Sequence, residues 1–139
     1  MDRETMRKQA IEKEMEKRYP EAAALYAQMG LYEKAAFLYQ KAGILKDAFE
    51  NYMKAEKPDK AAEICMNAGY PDKAAELFLR AGDPFRAGKV LVQAKRFDKA
   101  AELYEQGQQW SEAARMYLLV RNLPKAGEMY EKAGDTARA

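Results

Sequence analysis

From Arg18 onward, polar and apolar positions recur every thirteen residues, without insertion or deletion, through nine blocks ending at Gly134. Segments such as LYEKAAFLYQKAG (31–43) and YPDKAAELFLRAG (70–82) superpose slot by slot. Slot 5 is Ala in every block, from Ala22 to Ala126, and again at Ala139. Slot 6 is Ala or Gly in eight of the nine, with Phe49 the exception, and slot 8 is apolar in eight, with Asn51 the exception. Slot 9 is aromatic in seven: Tyr26, Tyr39, Tyr52, Phe78, Tyr104, Tyr117 and Tyr130. Slots 5, 8, 9 and 12 carry the i, i+3, i+4, i+7 spacing of one face of an α-helix.

The same register marks where each helix begins and stops. Pro20, Pro58, Pro71, Pro84 and Pro124 all fall at slot 2 or 3, in the first turn, where a missing N–H is not needed. Asp83, before Pro84, reads as an N-cap, and Asp59, Asp72 and Asp98 put negative charge at the positive helix end. Gly30, Gly43, Gly69, Gly82 and Gly134 occupy slot 13, where a left-handed residue ends a helix. Each block thus predicts a helix of about ten residues and a turn of about three. Gly88 and Gly127, at slot 6, predict close helix–helix contacts.

Helices this short are not stable alone and must pack. Turns this tight force neighbours to run antiparallel, so two blocks make a hairpin and stacked hairpins make an all-α solenoid of about nine short helices. A four-helix bundle is the competing fold, but equal helices with equal turns favour an array. Small residues at slots 5 and 6 bring backbones together, so slot 5 has no room for a larger side chain, whereas a surface Ala such as Ala27 is expected to tolerate one. Residues 1–17 stand outside the repeat. They predict a charged helix with a thin stripe of Met6, Ala10, Ile11 and Met15, serving as a cap for the array or as a linker. The array proper spans 18–139, and its tenth block, begun at Asp135, is incomplete, which predicts a longer parent protein.

Composition agrees with helix. Ala accounts for 26 residues, while Val, Ile and Thr together number eight. The net charge of +2, with both signs interleaved, makes no case for nucleic acid or an anionic membrane. No apolar run reaches the length of a membrane span, so no membrane insertion is expected. One Cys excludes an intramolecular disulfide and fits a reducing compartment, hence a cytoplasmic location. Without His, imidazole bases, Cys–His pairs and the common zinc sites are unavailable, so neither enzyme activity nor a cofactor or metal is expected. Cys65 fills a core slot, and Glu63, Glu76, Glu102 and Glu128 share the solvated slot 7. Helical repeats can read RNA by stacking, but here the aromatics are committed inward.

What exceeds the structural pattern is a set of apolar residues at slots expected to face water. Slot 10 holds Met53, Met66, Leu79, Val92 and Leu118, against Gln40, Glu105 and Glu131 elsewhere. Phe37 at slot 7, Phe85 at slot 3, Leu119 at slot 11 and Trp110 at the start of the eighth block join them. Three readings are open. Slot 10 belongs to a wider buried face; or these residues line a groove for an amphipathic helix or peptide; or Trp110, Leu118 and Leu119 form a homodimer contact.

At 30–43 and 69–82 the chain resembles tetratricopeptide repeats, over the stretch from the inter-helix turn through the second helix. Ala35, Tyr39 and Ala42, and again Ala74, Phe78 and Ala81, fall on the small, aromatic and small positions of that motif. The hairpin period is 26 rather than 34, and every helix reads like the second helix of the motif, which is closer to the short-helix TPR-like arrays of vesicle-attachment (SNAP-type) and intraflagellar-transport subunits. The resemblance implies a right-handed TPR-like solenoid working as a protein-interaction scaffold or adaptor. A structural element that mediates self-assembly is the alternative.

Overall fold

A computed structural model describes residues 1–134, so the start of the tenth block, 135–139, lies outside the described residues. The described residues contain ten helices and no strand: α1 (Arg3–Met15), α2 (Tyr19–Gln28), α3 (Tyr32–Lys41), α4 (Leu45–Lys54), α5 (Pro58–Asn67), α6 (Pro71–Arg80), α7 (Pro84–Gln93), α8 (Phe97–Gln106), α9 (Trp110–Leu119) and α10 (Leu123–Lys132). From α2 on, every helix runs from slot 2 to slot 11, as the repeat predicts.

One termination motif serves every helix end between blocks. Slot 13 is left-handed whether or not it is Gly: φ is 78° at Gly30 and 79° at Gly43, but also 58° at Glu56, 62° at Lys95, 59° at Gln108 and 61° at Arg121. The slot-13 N–H donates to the slot-10 carbonyl and the slot-1 N–H to the slot-9 carbonyl, as in Gly30 to Ala27 (2.9 Å) and Leu31 to Tyr26 (2.9 Å), the paired bonds of a Schellman motif. The slot-1 carbonyl then accepts the first bond of the next helix, Ala35 N–H to Leu31 O at 3.0 Å. One residue closes one helix and opens the next. Asp83 caps α7 by accepting from the Arg86 N–H at 3.0 Å, and Asn122 and Asp2 cap α10 and α1 in the same way.

The chain divides into two compact units, Met1–Ile64 and Cys65–Ala139, with the boundary inside α5. In the first, α1 packs on α2, α2 on α3 and α3 on α4. Its core gathers Ala10, Ala22, Ala23, Tyr26, Met29, Ala35 and Leu38. The N-terminal helix proves to keep the register after all: counting back thirteen residues puts Ala10 at slot 6, Glu14 at slot 10 and Lys17, with φ 61°, at slot 13. The backbone geometry persists there although charged residues have replaced most of the apolar ones. In the second unit, consecutive helices from α6 to α10 pack in the same way. This is an all-α solenoid arrangement, and it rests on the small slots. The nine slot-5 alanines of the described chain are 0–2 % exposed.

Three local findings refine the sequence reading. Ala27 is not a surface residue; it is half-buried and packs against the first unit's core, because slot 10 borders the following helix. A Cβ on Gly88 would stand 2.9 Å from Tyr104 Cε1, in a ring itself braced by Phe85 at 5.7 Å between centroids, so slot 6 is Gly there for want of space. Asn51 is 6 % exposed at the otherwise apolar slot 8 of α4. Its Nδ2–H donates to the Asp47 carbonyl at 2.8 Å, while Oδ1 has no partner. An unmade bond at a buried acceptor costs about 1–3 kcal/mol. Asn51→Leu should therefore stabilise the chain by about 1–2 kcal/mol in urea unfolding; an unchanged or lower midpoint would show that Oδ1 is satisfied in solution.

Candidate interaction site

The repeat decides which surface residues are already engaged. Three times, a slot-10 side chain accepts the hydroxyl of the slot-9 Tyr twelve residues on: Tyr26 to Glu14 (3.0 Å), Tyr52 to Gln40 (3.2 Å) and Tyr117 to Glu105 (2.7 Å). A slot-4 lysine lies over each of these rings: Lys34 Nζ is 4.7 Å from the Tyr26 centroid, Lys60 5.8 Å from Tyr52 and Lys125 5.9 Å from Tyr117. Lys34 and Lys125 also approach the slot-10 carboxylates, at 3.8 Å from Glu14 and 3.4 Å from Glu105. The hydrogen bond from Tyr117, with Lys125 beside it, holds the Glu105 carboxyl below its ordinary range, and burial followed by that same bond pushes the Tyr117 hydroxyl up. In the central copy Gln40 is neutral, and Lys60 turns to Glu33 Oε2 on α3 at 2.7 Å. That bond lowers the Glu33 carboxyl and raises the Lys60 ammonium.

Beside this central copy lies a groove of about 680 Å³. It is lined by Leu31, Tyr32, Glu33, Lys34 and Phe37, by Tyr52 and Ala55 of the α4 segment, and by Lys60 of α5. Phe37 is 57 % exposed, the most exposed of the phenylalanines. It is the one bulky apolar residue at slot 7, where other blocks carry Glu, Lys, Arg or Ala. Tyr32 is held at the rim with Lys54 Nζ 5.7 Å from its ring centroid.

The other residues singled out by sequence are not brought into this groove. Met53 on α4 is half-buried and Met66 on α5 is exposed. In the second unit, half-buried Leu79 lines a smaller cleft of about 230 Å³ with Ala75, Leu91 and Leu103, rimmed by Asp72, Glu76, Lys99 and Glu102. Val92 is half-buried. Phe85 leans on Tyr104 with its ring still 37 % exposed, and Trp110 is half-buried with Lys132 Nζ 4.9 Å from its ring centroid. Leu118 and Leu119 are exposed, and Val120 and Leu123 extend them across the α9–α10 turn. Part of the slot-10 pattern is chemical matching between helices. Glu14, Gln40 and Glu105 each accept the hydroxyl of the Tyr twelve residues on, although Val92 and Leu118 also precede a slot-9 Tyr by twelve.

Of the residues lining this groove, the sequence singled out Phe37 and not Leu31, Tyr32, Tyr52 or Lys60, because each of those conforms to its slot. The usable signal was Gln40, the neutral member of a set that is otherwise Glu wherever a Tyr hydroxyl and a slot-4 Lys converge. Cys65 is buried and its thiol is pushed up by desolvation. Among the described residues, no group of three or more His, Cys, Asp or Glu is placed to hold a metal ion, and no helix is long and apolar enough to cross a membrane. No protein-family model matches the chain, and a search of curated proteins finds no significant match to it.

Proposed function

We propose that this chain is a cytoplasmic protein-interaction module, a TPR-like scaffold or adaptor that takes a peptide or helical segment of a partner protein in the Phe37 groove. The observation that carries this reading is the exposure of Phe37 in a groove that it lines together with Tyr32 and Tyr52. Burying such a ring contributes about 1.5–3 kcal/mol, and aromatic anchors in concave sites dominate many interfaces. A photo-crosslinking residue introduced at position 37 in cells should trap a discrete partner. The same residue at position 50, slot 7 of α4 and solvent-exposed, should trap nothing. Equal products from both positions would sink the proposal. Self-association is the second reading, favoured by the exposed run Leu118, Leu119, Val120 and Leu123. Light scattering across a concentration series would then give a dimer mass that Leu119→Glu with Leu123→Glu returns to monomer.

A further inference from the structure

Two of the three Tyr-centred clusters are electrically closed. Lys34 and Lys125 each have a carboxylate at slot 10, Glu14 or Glu105, that also accepts the Tyr hydroxyl. The cluster at the groove is not closed at slot 10, because Gln40 accepts from Tyr52 without bringing charge. Lys60 is met by Glu33 instead, with both side chains about half exposed at 45 and 46 %. Such pairs contribute little and exchange easily with other partners. Lys57 and Asp59 act on Glu33 in opposite senses, and Lys54 adds a further positive charge beside Tyr32. The groove therefore joins an apolar aromatic surface to a cation whose counter-ion, Glu33, is itself an exposed groove residue rather than the slot-10 side chain of the repeat.

We infer that the occupant is an acidic amphipathic segment, whose apolar side chain packs on Phe37 and Tyr32 and whose carboxylate stands beside Lys60 as Glu14 and Glu105 stand beside Lys34 and Lys125. The inference rests on reading the Phe37 groove as the docking site. Charge complementarity of this kind selects among partners that share the same apolar anchor. A basic segment would meet Lys60 and Lys54, with the groove's own carboxylate, Glu33, already taken by Lys60. The chain supplies its own control: Gln40→Glu rebuilds the closed cluster from inside and competes with the incoming carboxylate.

Random twelve-residue peptides displayed on phage and selected on the full chain test this. Enriched peptides should carry Asp or Glu next to an aromatic or Leu. A synthetic, labelled copy of one, followed by fluorescence anisotropy, should weaken about tenfold with Lys60→Gln, and comparably with Gln40→Glu or added salt. Phe37→Glu should abolish its binding. All three side chains are exposed, and circular dichroism checks that each variant is folded. Enrichment of neutral or basic peptides, or of acidic ones indifferent to Lys60→Gln and Gln40→Glu, overturns the acidic preference; if Phe37→Glu still abolishes binding, the groove itself survives. Peptides that bind the Phe37→Glu chain unchanged, or no enrichment at all, remove both the groove and the preference.

Discussion

Replacing Glu56, Lys95, Gln108 and Arg121 together by Gly should raise the melting temperature by roughly 6–12 °C. All four sit at slot 13 with φ between 58° and 62°, the conformation that Gly30, Gly43, Gly69 and Gly82 adopt in the other turns. An L-residue pays about 1–2 kcal/mol for that region. Gly relieves this but loses more freedom on folding, leaving a net gain of about 0.5–1 kcal/mol per site. The sites lie on separate turns, so the gains should sum to roughly 2–4 kcal/mol. Calorimetry on the four singles and the quadruple variant decides it. A quadruple variant that melts no higher than the parent would mean that these turns are not left-handed in solution.

The opposite effect is expected at the small slots. Ala74→Leu and Ala101→Leu should each destabilise by about 1–3 kcal/mol, since both alanines are completely buried and added methylenes must displace a neighbouring helix. Ala81→Leu, at the exposed C-cap of α6, is the matched control and should change stability by less than about 0.5 kcal/mol. Urea midpoints for the two core variants that coincide with that of the control would mean that slots 5 and 6 are not where the helices meet.

Helix limits were readable because Ala holds slot 5 of every block, while Pro, in five of the nine, and slot-13 Gly, also in five, mark helix starts and ends at fixed places. Left-handed turns at Glu56, Lys95, Gln108 and Arg121 follow from the register alone, as nothing in those side chains announces them. The register of α1 was hidden because only Ala10 retains its small-residue slot. Phe37 was legible as an outlier against the Glu, Lys, Arg and Ala of its slot. Its groove was not, since the participation of Tyr32, Tyr52 and Lys60 depends on which helices stand side by side. Phe85 and Trp110 were also outliers, yet Tyr104 and Lys132 engage them. A departure from pattern marks an unusual environment without saying whether its other half lies inside the chain. Ala27 failed as a surface reference for a related reason, because slot 10 was judged from one helix while its surroundings belong to the next.

The turn in which a single residue ends one helix and caps the next bears on how such a gene can change. Most proteins absorb small insertions in loops, but here there is no spare residue to lengthen. One added codon between blocks would break the slot-1 hydrogen bond on one side and misplace the slot-5 Ala on the other. Viable length changes are therefore whole blocks. A single-block duplication would reverse the direction of every helix downstream, exchanging the sides on which they present their charged faces. Duplication of a pair would leave those faces unchanged. Selection acting on a binding surface should thus favour growth and loss by pairs, and drift toward Gly at slot 13 should be nearly free wherever a charged residue now holds the turn.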